Sequence, residues 1–139
     1  MRIFLVLLAI ALAAPTLATE PTRSEAPAEA KLYIISPTAG ETVKNPVVVR
    51  FGLSGMGIAP AGTVVARTGH HHLLIDTGLP ELGLPIPNDA KHLHFGGGQT
   101  ETTLTLTRGE HTLQLLLGDY SHVPHQQPVM SEQIKIVVE

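Results

Sequence analysis

Gly and Pro cut the chain into short apolar segments, and this punctuation constrains the fold more than any other feature. After residue 30, no window carries the 3.6-residue apolar period of a helix. LYIIS is stopped by Pro37 and the PTAGE turn, and PVVVRFGL is β-branched with Pro on its first residue. SGMGIAPAG and TGLPELGLPIPND read as loops. TETTLTLTR alternates Thr with Leu, the period of a strand with one wet face. EHTLQLLLGD places Leu113, Leu115 and Leu117 on one side, and EQIKIVVE closes the chain as a further alternating strand. Short strands at such spacing predict an all-β, single-domain, immunoglobulin-like antiparallel β-sandwich.

In sandwich order the expected strands are A near 31–36, B near 46–53, C near 69–76, E near 100–107, F near 110–118 and G near 132–138. Strand D is short or absent within 85–95. The sandwich domain then spans 31–139. Residues 19–30, TEPTRSEAPAEA, are rich in Pro, Ala and Glu and read as a flexible linker.

The chain opens MRIFLVLLAIALAAPTLAT. One Arg, a short apolar run and small residues before a break after Ala18 mark residues 1–18 as a secretory signal peptide. The run is short of the roughly 20 residues of a membrane-spanning helix. The expected location is therefore periplasmic or secreted, with no stable membrane span after cleavage. Removing residues 1–18 takes away one Arg and no acid. That leaves 8 basic against 12 acidic side chains, a net charge of −4 with His neutral. Such a balance, with two Tyr and three Phe in all, argues against nucleic-acid binding.

The chain has no Cys, so thiolate chemistry is closed to it, but it has eight His. His70, His71 and His72 open strand C; His92 and His94 fall in the D–E region; His122 and His125 fall in the F–G loop. The B–C, D–E and F–G loops of a sandwich meet at one end. Seven histidines are thus expected to converge, with His111 alone at the opposite end in a structural role. Residues i and i+2 of a strand share a face, so His70 and His72 point together, as do His92 and His94. With H-x-x-H at His122 and His125, the set predicts a metal site of His70, His72, His92, His94, His122 and His125. Imidazole suits copper(II) or zinc. Met56 and Met130 are further possible ligands, and Asp119 could bind the metal or orient a ligating ring.

Enzyme motifs are missing: no nucleophile elbow, P-loop, dinucleotide fingerprint or HExxH occurs. The chain is expected not to be an enzyme. A Cu/Zn superoxide dismutase is also a sandwich with H-x-H ligands, but its disulfide is lacking and the ligand spacings do not match. The functional expectation is a histidine-rich metal-binding module for storage, delivery or tolerance. The alternative is an envelope interaction or adhesion module that binds another envelope protein through a structural, pH-responsive His surface.

GHHHLLIDTGLP, HFGGGQTETTLTL, GEHTLQLLLGDYSHVPH and PVMSEQIKIVV, in that order, resemble the bacterial exported family known as domain of unknown function 4399. SPTAGETVKNPVVVRFGLSGMGIAPAG is similar to that family's start, so the resemblance runs over about residues 33 to 138. It implies a compact exported β domain, sometimes joined to other exported modules. It implies no activity.

Overall fold

The computed structural model of the chain describes residues 23–139; the expected signal peptide, residues 1–18, lies outside them, as do residues 19–22. Regular structure among the described residues is all β. The strands are β1 (Lys31–Ser36), β2 (Thr42–Val43), β3 (Val47–Ser54), β4 (Gly57–Ile58), β5 (Thr68–Ile75), β6 (His92–His94), β7 (Glu101–Leu104), β8 (Gly109–Gly118) and β9 (Ile134–Val138). Among these residues, no helix is long and apolar enough to cross a membrane.

Two sheets form. The smaller is antiparallel, in the order β1-β3-β7; the larger runs β2-β9-β8-β5, and both β4 and β6 line the far edge of β5. Alternation along β3 turns Val47, Val49 and Phe51 inward and leaves Val48 and Arg50 exposed. They meet Leu73, Leu113, Leu115, Leu117 and Ile136 of the larger sheet in one apolar core. Each such Leu, fully withdrawn from water, contributes about 1.5–3 kcal/mol before conformational entropy is counted.

The outer face of the larger sheet is also covered. Leu74 and Leu116, which point away from the main core, pack with Ile86 of the Pro- and Gly-rich 77–91 loop. β5 is therefore buried along nearly its whole length, on both faces. Whatever stands beside Leu74 on that face is shielded from bulk water too.

Within the 85–95 stretch, where strand D is expected to be short or absent, the three residues of β6 pair with β5, His72 against His94 and Leu74 against His92. Two expectations need correction. The strand near 100–107 ends at Leu104, because the Asn45 side chain takes over the backbone of Leu106, accepting from its N–H at 3.0 Å and donating to its carbonyl at 2.7 Å. Finally, residues 23–30 of the expected flexible linker lie on the domain. Ala26 and Ala30 pack on the main core, and Arg23 and Ser24 hydrogen-bond to the 119–126 segment.

Candidate metal centre

The site begins with the alternation of β5. His70, His72 and Leu74 face outward, whereas His71, Leu73 and Ile75 face the main core. Gly69 has no room for a side chain, since a Cβ there would lie 2.7 Å from the Gly118 carbonyl oxygen. On one side His70 stands opposite Gly118 and His72 opposite Leu116 of β8. On the other side His72 stands opposite His94 of β6. Directly opposed residues project to the same face, which brings His94 into the group.

The remaining ring comes from the turn after β8. Asp119 organises that turn: its carboxylate accepts from the Ser24 hydroxyl at 2.6 Å, the Ser121 hydroxyl at 2.8 Å, and the N–H groups of Ser121 and Val123 at 2.9 and 3.1 Å. Its backbone N–H donates to Val123, and its carbonyl accepts from His122. These bonds hold His122 in the left-handed region, at φ 70°. Burial alone would raise the Asp119 pKa, but the bonds from Ser24 and Ser121 outweigh it and keep the carboxyl below its usual range.

Four imidazoles thus meet on the outer face of the larger sheet. The His70 ring centre lies 4.8 Å from that of His72 and 5.0 Å from those of His94 and His122; the rings of His94 and His122 are 4.8 Å apart. His72 lies 5.1 Å from His94 and 6.3 Å from His122. One ring nitrogen from each of His70, His94 and His122 falls within 4.8 Å of the other two. Glycines leave space for the rings. A Cβ on Gly118 would lie 2.8 Å from the His72 ring, and one on Gly96 would collide with the His94 ring.

Within the protein, several of these ring nitrogens lack polar partners. Both nitrogens of His70, Nδ1 of His72 and Nε2 of His94 are buried without a hydrogen bond. A neutral imidazole has one donor and one acceptor, and leaving such a group unsatisfied costs about 1–3 kcal/mol. Burial, then repulsion from His94 and His122, lowers the His70 pKa to about 4. Burial, then repulsion from His70, His94 and His122, lowers that of His72 to about 3. His94 is lowered by burial and by His122. At neutral pH the cluster consequently offers lone pairs, the form a metal requires. Zinc–nitrogen bonds of about 2.0–2.1 Å set tetrahedral ligand atoms roughly 3.4 Å apart, so nitrogens within 4.8 Å of one another need close by at most about 1.4 Å.

Other sequence-predicted residues lie elsewhere. His92 is captured by Asp89, whose Oδ1 is 2.9 Å from His92 Nδ1. His125 is buried, with Nε2 at 3.3 Å from the Thr68 carbonyl oxygen, outside the ring group. His71 turns into the main core, edge-on to Phe51, and burial lowers its pKa to about 4. His111 lies at the far end of β8, between Asp76 Oδ2 at 2.7 Å and the Thr107 carbonyl at 2.8 Å. Met56 packs on the main core and Met130 is exposed. Asp119 acts on the backbone of the turn rather than on a ring. GGG directly after HLHF signals backbone packed close to something, which the structure places at Gly96 against the His94 ring; Gly118 was missed and carried no such signal.

No curated protein and no solved structure matches the chain. A family does match residues 49–139, starting later than the resemblance seen in the sequence and covering β5, β6, β8 and the His122 turn. The chain belongs to the family described as Domain of unknown function (DUF4399).

Proposed function

We propose that this protein is a non-enzymatic metal-binding module of the cell exterior or periplasm, taking zinc or copper(II) for storage, delivery or tolerance. His70, His94 and His122 are its ligands, and His72 is the fourth ring of the set. One observation carries the reading: three separate elements converge to place imidazole nitrogens of His70, His94 and His122 within 4.8 Å of one another, with both nitrogens of His70 and Nε2 of His94 buried and unpartnered. Missing partners alone do not mark a ligand, since both nitrogens of His71 in the apolar core are also unpartnered; their convergence does. His111 supplies the contrast, since both its nitrogens have oxygen partners.

All-imidazole coordination with no thiolate favours borderline divalent ions over Cu(I). The strand orders β1-β3-β7 and β9-β8-β5 support an immunoglobulin-like sandwich as the scaffold. The N-terminal sequence supports export. Equilibrium dialysis of the protein against zinc and copper(II), compared with a His70→Ala/His94→Ala/His122→Ala variant, tests the assignment. One ion per chain for the wild type and none for the variant is the expected result; equal binding by both would refute it.

A further inference from the structure

The turn that carries His122 is held from two sides. On one side the Ile86 N–H donates to the His122 carbonyl at 2.9 Å, tying the turn to the 77–91 loop. On the other side lies the N-terminal segment. Ser24 donates its hydroxyl to Asp119 Oδ2, and the Ser24 carbonyl accepts from the Gln126 N–H at 2.8 Å. The Arg23 guanidinium donates to the carbonyls of Pro124, at 2.9 Å from Nε, and His125. Ala26 then anchors the segment on the main core. These bonds span the whole stretch from Asp119 to Gln126, with His122 in its middle.

We infer that Arg23 and Ser24 form a positioning strap for the metal site, which fixes the turn so that His122 can complete the ligand set. This inference rests on the proposed metal reading. Its chemistry is that of an outer-shell partner. Ser24 satisfies one oxygen of Asp119, whose other oxygen fixes the Ser121 and Val123 N–H groups. Arg23 donates to two backbone carbonyls of the same segment. The strap's hydrogen bonds go to Asp119 and to the backbone, so its loss leaves all four imidazoles present but releases the one that rides on a turn. His70 and His72, on β5, and His94, on β6, are held by ladder bonds instead. Metal affinity is thereby linked to the seating of the segment that leads into the domain.

The test is a double-mutant cycle in zinc affinity, measured by isothermal calorimetry at pH 7. Arg23→Ala/Ser24→Ala should weaken zinc binding by roughly 10–100-fold, the usual effect of removing outer-shell support. In a His122→Ala background the same pair should produce no further loss, because the ring they position is gone. Ser24→Thr, which keeps the hydroxyl, should bind like the wild type. Should the double variant fail to fold, Ser24→Ala alone carries the same cycle. Unchanged affinity, or an equal loss in both backgrounds, would overturn the strap. Absence of zinc binding by the wild type is a separate result, which would refute the site itself and the strap with it.

Discussion

His72 and His94 stand directly opposite each other across β5 and β6, with ring centres 5.1 Å apart. A cross-strand pair of this kind is fixed by the register of backbone hydrogen bonds, not by side-chain choice. With His70, also on β5, three of the four rings are therefore pre-organised by the sheet itself, while His122 depends on a turn.

That difference predicts unequal effects of ligand removal. His70→Ala and His94→Ala should each weaken zinc binding by more than about 100-fold, beyond the range of outer-shell changes. His92→Ala and His125→Ala, although both lie near the group in sequence, should change affinity less than about threefold. Calorimetric titration of the four variants checks this, and a loss for His92→Ala equal to that for His94→Ala would contradict it.

The two glycines beside the rings should separate affinity from stability. In Gly118→Ala the new methyl meets the His72 ring at 2.8 Å and the His122 Cα at 3.3 Å, in a fully buried place with nowhere to yield. Stability should fall by about 1–3 kcal/mol, as for overpacked cores. In Gly96→Ala the methyl displaces the half-buried His94 ring, whose Nε2 lies 2.7 Å from the added carbon. Urea denaturation should show less than about 1 kcal/mol of loss there, while zinc affinity drops.

Acid should unfold the metal-free protein through its buried histidines. His70, His71 and His72 have pKa values of about 4, 4 and 3, lowered first by burial, whereas an unfolded histidine titrates near 6.5. The unfolded chain takes up protons first as pH falls. Stability is thus intact above about pH 6.5 and declines from there towards pH 4 and 3. His71→Leu removes one of these groups from an apolar site. It should raise stability by about 1–3 kcal/mol at pH 7, and by more at pH 5, in urea denaturation. A gain independent of pH would contradict the assignment.

The opposite sign holds for His111. Burial works against its charged form, but hydrogen bonds from its ring to Asp76 and to the Thr107 carbonyl prevail and raise its pKa. Its contribution is complete below the unfolded value near 6.5 and disappears as pH rises through the folded value. Asp76 is lowered: burial opposes, while the Thr112 N–H and His111 prevail, so its share disappears only as pH falls through its own folded value. His111→Gln should therefore cost most near pH 6 and progressively less towards pH 9. A difference constant over that window would refute the charged pair.

Much of this was legible in the sequence, for identifiable reasons. β-Branched residues in PVVVRFGL and the Leu periodicity of EHTLQLLLGD announced β3 and β8, and period-two alternation placed His70 and His72 on one face and His71 on the other. His94 and His92, although both in HLH, part company because Asp89 in the preceding turn captures the His92 ring. Nothing in a three-residue strand reveals which sheet it joins, so the pairing of β6 with β5 was not legible. TGLPELGLPIPND looks solvent-exposed by composition, yet Ile86 within it seals Leu74 and Leu116, and that cover dries the outer face. The docking of Arg23 was hidden for another reason. Its partners are the backbone carbonyls of Pro124 and His125, which carry no residue signature.

The most direct measurement is a calorimetric titration of the wild-type protein with zinc and with copper(II), at pH 7 and again at pH 5. Tight, saturable binding of one ion per chain that weakens at pH 5 is predicted, because protons compete for the imidazole lone pairs. No binding tighter than about 100 μM at pH 7, worth only about 5–6 kcal/mol, would contradict the metal centre and leave the four rings as packing.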